Sequence, residues 1–170
     1  MKLTVTDANI FIDLIKLQML GFLFSIKVEV YTTHEVAEQL NNNQYEKISS
    51  FIQAQLLTVV DFTDAQIEEI AALQVSRALE FADKTVIYLA AKLNAAVLSG
   101  DGPLRKACQK QLLTVHGILW LFQQFLEHDL ISHSTAITKL NHLQSFNNRL
   151  PKEECLKKLA EWKQHETGKH

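Results

Sequence analysis

Acidic side chains recur where the short apolar runs of this sequence end. Asp7 closes the β-branched run Lys2–Thr6, and Asp101 follows Ala95–Leu98 within Ser99-Gly100-Asp101-Gly102-Pro103. Asp61 and Asp64 follow Leu57–Val60, and Thr32, Thr33, His34 and Glu35 follow Val28–Tyr31. Asp83 opens the apolar stretch Phe81–Leu93, and His116 follows Leu112–Val115. Carboxylates gathered at one place repel one another unless a cation or protons offset the charge. An acid-only, oxygen-rich cluster suits Mg²⁺ or Mn²⁺. Such ions position water and stabilise charge on a phosphate under attack. The simpler structural reading is that each acid is a helix cap or turn residue. Asp7 could cap a helix from Ala8, Asp83 could charge-stabilise its first turn, and Asp101 sits in turn sequence. Function therefore requires that these residues share one edge of the fold.

The periodicities supply such an edge. Strands are expected at Lys2–Thr6, Val28–Tyr31, Leu57–Val60, Ala95–Leu98 and Leu112–Val115. Helices are expected at Ala8–Lys16, Leu17–Ser25, Tyr45–Gln55, Phe81–Leu93 and Leu104–Lys110, and from Asp64 to about Val75 behind Thr63. Thr32 and Glu35 have capping-box spacing, which starts a helix running to about Leu40. From Gly117 the chain reads as helical, with breaks at 129–134 and 147–151 and a loose tail at Gly168–His170. Strands alternating with helices through the first 115 residues imply an α/β fold. Its parallel sheet of about five strands would carry helices on both faces, in three layers, with a helical C-terminal extension. The division expected is a domain at 1–130 and an extension at 131–170 packed on it. In such sheets ligands bind beyond the carboxyl ends of the strands, where these acids fall.

Composition narrows the classes. The 170 residues are 47% hydrophobic and 21% charged, which is globular and sufficient for one buried core. A net charge of −2 means that any nucleic-acid contact must come from a local patch. Cys108 and Cys155 form no C-x-x-C, so reduced thiols and a cytoplasmic protein are expected. The apolar stretch Leu17–Ile26 is about half the length of a bilayer span, so no membrane partner is expected. His128, His133 and His142 lack zinc-ligand spacing, and neither G-x-S-x-G nor a Walker A loop occurs. Trp120, Phe122 and Phe125, with Leu119, Leu121 and Leu126, read as a core or partner-binding helix face rather than a base-stacking platform.

Four ordered segments resemble the PIN-domain family of metal-dependent nucleases, many of them toxins of bacterial toxin–antitoxin pairs. They are Val5–Leu14, Val30–Leu40, Phe81–Val86 and Ala96–Asp101. Val115–Phe122 also resembles the last strand-to-helix junction of some members, so the likeness covers about residues 3–125. It implies a ribonuclease holding Mg²⁺ or Mn²⁺, with Asp7, Asp83 and Asp101 as metal-site acids and Asn9 and Ser99 as polar neighbours. The family's second acid falls at Gln39. Glu35 could replace it by helix face, or Glu38 by sequence position, and both are carried as catalytic candidates. Lys84, Arg105, Lys106 and Lys110 could receive an RNA backbone. An antitoxin protein and a homodimer are further partners that the resemblance implies.

Two other classes compete. The Gln39 departure allows a catalytically weak PIN-like binding module. A Mg²⁺-binding phosphoacceptor signalling domain would use Asp61 as its central acid, but it lacks an acidic pair at Asp7 and has His116 where lysine is expected.

Overall fold

The computed structural model describes residues 2–168. Of the loose tail expected at Gly168–His170, Gly168 caps the last helix, and Lys169 and His170 lie outside the described residues. Five parallel strands form one sheet in the order β3-β2-β1-β4-β5. They are β1 (Lys2–Thr6), β2 (Val28–Thr33), β3 (Leu57–Val60), β4 (Ala96–Leu98) and β5 (Val115–His116). The α/β expectation holds: helices flank this sheet.

β1 is the middle strand, so Asp7 leaves the sheet at its centre. Val5 pairs with Val97 and Thr6 with Leu98, which brings the chain past β1 level with the chain past β4. The Asp7 backbone N–H donates to the Leu98 carbonyl at 2.9 Å and extends that alignment by one residue.

Between the strands lie α1 (Ala8–Lys16), α2 (Leu20–Leu23), α3 (His34–Glu38), α4 (Asn42–Gln53), α5 (Asp64–Ala71), α6 (Phe81–Leu93) and α7 (Gly102–Lys110). α1 packs Ile10, Phe11 and Leu14 into the core through a helical apolar stripe. α6 is buried around most of its circumference, including Val86, Ile87, Leu89 and Ala90. Asn94 ends it in the left-handed conformation at φ 50°, which asparagine tolerates well, and so turns the chain into β4.

Several boundaries differ from expectation: α2 is shorter than Leu17–Ser25, α4 starts at Asn42 rather than Tyr45, α5 ends at Ala71 rather than near Val75, and three others lie around the strands and the acid edge. β2 continues to Thr33, and it is Thr33, not Thr32, whose side chain caps α3 by accepting from Val36 N. Thr32 stays in the strand, where its hydroxyl donates to the Thr6 carbonyl at 2.8 Å. α7 begins at Gly102 because Asp101 accepts from Leu104 N and Pro103 suits the first turn. The last strand is Val115–His116, later than the expected Leu112–Val115. Leu112 adopts a left-handed φ of 58° and is 93% exposed, so the apolar residue is spent on a turn.

The chain ends in α8 (Ile118–Glu127), α9 (His133–Phe146) and α10 (Lys152–Thr167). Ala136, Leu140, Leu143, Cys155, Leu159 and Trp162 belong to the same buried cluster as Val5 and Phe11. The Trp162 ring lies 5.8 Å from Phe122, and the Lys139 ammonium donates to the Leu17 carbonyl at 2.8 Å. Among the described residues no helix is long and apolar enough to cross a membrane. Both cysteines are buried and free.

Candidate active site

The parallel sheet brings Asp7, Asp101 and Asp83 to one edge from three different elements. Asp7 ends β1 and caps α1, with Oδ1 accepting from Ala8 N at 2.8 Å. Its Oδ2 accepts from Asn9 Nδ2 at 2.6 Å and from the Ser99 hydroxyl at 2.8 Å. Ser99 Oγ in turn accepts from Asp101 N at 3.0 Å, and Asn9 Oδ1 accepts from Gly100 N at 2.9 Å. Asn9 and Ser99 thus lace the β1 and β4 exits together beside the acids. Asp101 spends one oxygen on the cap of α7, accepting from Leu104 N at 3.1 Å.

Asp83 arrives by another route. Thr33, at the end of β2, lies 2.8 Å from Thr85 on α6, oxygen to oxygen. Thr85 already donates its hydroxyl hydrogen to the Ala82 carbonyl, so Thr33 is the donor between them. This buried link ties the first turn of α6 to the strand end that launches α3. Asp83 accepts from Glu80 N at 2.8 Å within that turn.

The electrostatics match a crowded acid cluster. Burial pushes the Asp7 carboxyl from its ordinary 3.8 up to about 6. Ser99 and Ala8 N–H oppose the rise, while the charges of Asp83 and Asp101 add to it. Burial also raises Asp83; its bond from Glu80 N opposes, and the Asp101 and Glu80 charges reinforce. Asp7 and Asp101 are helix N-caps, and Asp83 sits in the first turn of α6, accepting from the N-cap Glu80 N–H. Capping alone does not account for an Asp7 that is 4% exposed beside two further carboxylates.

The second-acid candidates separate. Glu35 has a buried Oε2 with no hydrogen-bond partner. Glu38 is exposed and pairs with His34 at 3.1 Å. Gln39 is exposed, with its amide 3.5 Å from Glu80 Oε2. Glu80 was not expected from the sequence; its signal is an acid three residues before Asp83, where the two share a helix cap.

Among the described residues no three acidic, histidine or cysteine groups approach closely enough to form a closed metal cage. The donor set still fits a hard divalent cation. It is all oxygen and its members repel one another. Mg²⁺ in particular keeps several waters and takes one or two carboxylates directly, so an open arrangement suits it. A carboxylate offers roughly four lone-pair sites; Asp7 accepts three hydrogen bonds and Asp101 one, which leaves capacity at each for a cation or its water.

The expected RNA-backbone residues scatter. Arg105 reaches under the edge, where its Nη1 donates to the Ser99 carbonyl at 2.8 Å. A Cβ at Gly117 would come within 3.2 Å of that nitrogen, so glycine there gives the guanidinium room. Lys106 and Lys110 line a cleft of about 620 Å³ with Gly102 and Pro103. Lys84 is half-buried beside Asp83.

Sequence reasoning missed the connector between α9 and α10. Arg149 brings its guanidinium 3.7 Å from Asp101 Oδ1, and Asn147 Nδ2 donates to Asp13 Oδ2 at 2.7 Å. No spacing signal links these residues to others more than 45 positions away. Cys108 is buried near Asp7, and burial first, then the Asp7 charge, pushes its thiol up to about 11. That makes it a poor nucleophile.

Compared with known families, residues 3–164 match a family model described as a PIN domain. The match runs beyond the 3–125 of the sequence resemblance and takes in α9 and most of α10. No curated protein matches the chain.

Proposed function

The chain belongs to the PIN-domain family, whose fold is nuclease-like, and from that premise we propose that it is a metal-dependent endoribonuclease hydrolysing RNA phosphodiester bonds. The observation that carries the reading is the meeting of Asp7, Asp83 and Asp101 at one sheet edge, with the Asp7 carboxyl raised first by its burial and then, to a smaller extent, by the charges of the other two.

In this reading Asp7 and Asp101 would hold Mg²⁺ or Mn²⁺, with Asp83 and Glu35 completing the acid cluster. Bound there, the ion supplies a Lewis acid that activates water and offsets charge at the phosphate. Asn9 and Ser99 fix the Asp7 carboxylate by two hydrogen bonds, so its orientation does not depend on the ion. Outer partners of this kind orient metal ligands. Asp101, tethered through its own N–H to Ser99, stays level with Asp7. Glu35 is preferred over Glu38, because a buried unpaired carboxylate oxygen is costly without a cation or water and an exposed, paired one is not. Arg105, Lys106 and Lys110, all on α7, would meet RNA phosphates in this reading. A role as the toxin of a toxin–antitoxin pair in the cytoplasm, with an antitoxin or a second copy as partner, follows from the family resemblance.

The phosphoacceptor alternative meets a topological obstacle. It needs its central acid beside Asp7, but Asp61 follows β3, an edge strand two positions from β1, and its side chain is 83% exposed. The weak binding module is the second reading, favoured by the neutral Gln39 and by the absence of a closed cage among the described residues.

The test is cleavage of an unstructured RNA by purified protein with Mn²⁺, with Mg²⁺ and with EDTA. Metal-dependent cutting that is lost in both Asp7→Asn and Asp101→Asn is the expected result. Metal binding without cutting would favour the binding module, and neither binding nor cutting would remove the nuclease reading.

A further inference from the structure

Beside Asp101 lies a cleft of about 800 Å³, within the ~300–1,000 Å³ typical of sites that enclose a small ligand. One wall is the β5–α8 corner, where the rings of His116 and Trp120 stack 4.2 Å apart with planes 8° from parallel. The opposite wall is the α9–α10 connector with Asn147 and Arg149, and Arg105 contributes a guanidinium from α7. Asp13, Asp101 and Glu154 also line it, so the cleft is not a simple anion sink. Phe122 and Phe125, on the same helix as Trp120, are fully buried. Trp120 is only half-buried: it packs against the margin of that core and also lines the cleft. Of the face expected to serve the core or a partner, the phenylalanines are core and the tryptophan sits at its margin.

Two more clefts adjoin this one. It shares Gly102 and Pro103 with the cleft bearing Lys106 and Lys110. On the other side it shares Leu119, Trp120 and Glu154 with a cleft of about 680 Å³ that bears Lys157 and Lys158. The concave surface thus runs from lysines on α7, past Asp101 and the aromatic pair, to lysines on α10. Cations along a track, with an aromatic pair midway, are what a single-stranded nucleic acid requires, because every base has a face to stack.

Building on the nuclease reading, we propose that this cleft is a nucleotide subsite for single-stranded RNA. One base extends the His116–Trp120 stack next to the acid edge, Arg105 and Arg149 face the flanking phosphates, and Asn147 and Glu154 meet the base edge. A nucleotide seated there draws Arg149 away from Asp101, exchanging a loose contact between an exposed guanidinium and a half-buried carboxylate for a phosphate. Burial first, then the Lys2 and Arg105 charges, lowers the His116 pKa, which keeps its ring neutral and suited to stacking at neutral pH. Duplex RNA does not suit the site, since its bases are already stacked within the helix.

The test measures binding of a fluorescein-labelled twelve-nucleotide single-stranded RNA by anisotropy in EDTA, so that no cutting occurs. Wild type, Trp120→Ala and Trp120→Phe are compared, along with the same RNA carrying abasic positions. The expected result is about ten-fold weaker binding for Trp120→Ala, the order of one lost base–aromatic stack, with most of the loss restored in Trp120→Phe. Abasic RNA should weaken wild type by a similar factor and Trp120→Ala little further. Equal affinity of wild type and Trp120→Ala, or no binding by wild type, overturns the subsite. Mn²⁺-dependent cutting by wild type, measured in parallel, keeps the two ideas apart. Cutting with Trp120-independent binding leaves the nuclease and removes the subsite, and Trp120-dependent binding without cutting does the reverse.

Discussion

Ser99 donates a 2.8 Å hydrogen bond to Asp7 from the neighbouring strand exit, 92 positions away in sequence, while accepting the backbone N–H of Asp101. One buried hydroxyl therefore sets the spacing of two acids. Ser99→Ala removes a bond to a buried carboxylate, with a cost of roughly 1–3 kcal/mol. The bond favours the ionised form of Asp7, so the loss should be larger at pH 8 than at pH 4. Urea unfolding at the two pH values measures the difference, and equal losses would mean that Ser99 acts only through packing.

Asp7 itself should trade stability for function. Its carboxyl pKa is raised on folding, so its contribution is favourable below about pH 4 and is lost as pH rises through about 6. The rise from 3.8 to about 6 corresponds to about 3 kcal/mol of native-state cost at pH 7. Asp7→Asn can still cap α1 and carries no charge. Its Tm should exceed that of wild type at pH 7 by on the order of 5 °C, with no gain at pH 4. A lower Tm at both pH values would make Asp7 a purely structural cap.

Divalent ions should reverse that order. Saturating Mn²⁺ should raise the Tm of wild type at pH 7 and leave Asp7→Asn and Asp101→Asn unchanged. The rise should shrink toward pH 5, because the cation must displace the proton that Asp7 then holds. A Mn²⁺ effect of equal size in all three proteins would locate the ion elsewhere.

Glu35 and Glu38 make contrasting predictions. Glu35→Gln should reduce Mn²⁺ affinity at least ten-fold, since the affected oxygen is buried without a partner. Glu38→Gln should change it less than two-fold, because Glu38 is exposed and engaged with His34. Calorimetric titration of both variants decides the matter, and the reverse ranking would assign the role to Glu38.

The helices after residue 130 are expected to be inseparable from the rest in folding. Trp162, Leu140 and Leu143 are buried in the one cluster that includes Phe11 and Phe122. A chain ending at residue 130 would expose that surface and should lose the cooperative thermal transition seen by circular dichroism. A sharp transition in the truncated chain would establish residues 1–130 as an independent unit.

Much of this protein is legible in its sequence because local chemistry writes it there. The β-branched run before Asp7, the helical stripe of Ile10, Phe11 and Leu14, and the capping threonine at 63 report strands, helices and boundaries through contacts only a few residues long. Alternating strands and helices then require a parallel sheet, and a parallel sheet puts Asp7 and Asp101 at one edge. What the sequence does not contain is register and distance. Thr32 and Thr33 are chemically alike, and only pairing with β1 and β3 decides which stays in the strand and which caps the helix. Glu35 and Glu38 lie three residues apart on one short helix, and only packing buries an oxygen of the first and exposes the second. Arg149 beside Asp101, and Trp120 turned from Phe122 toward His116, depend on how the last helices fold back over the domain. Such contacts join residues through space without a spacing that marks them, so tertiary structure alone decides them.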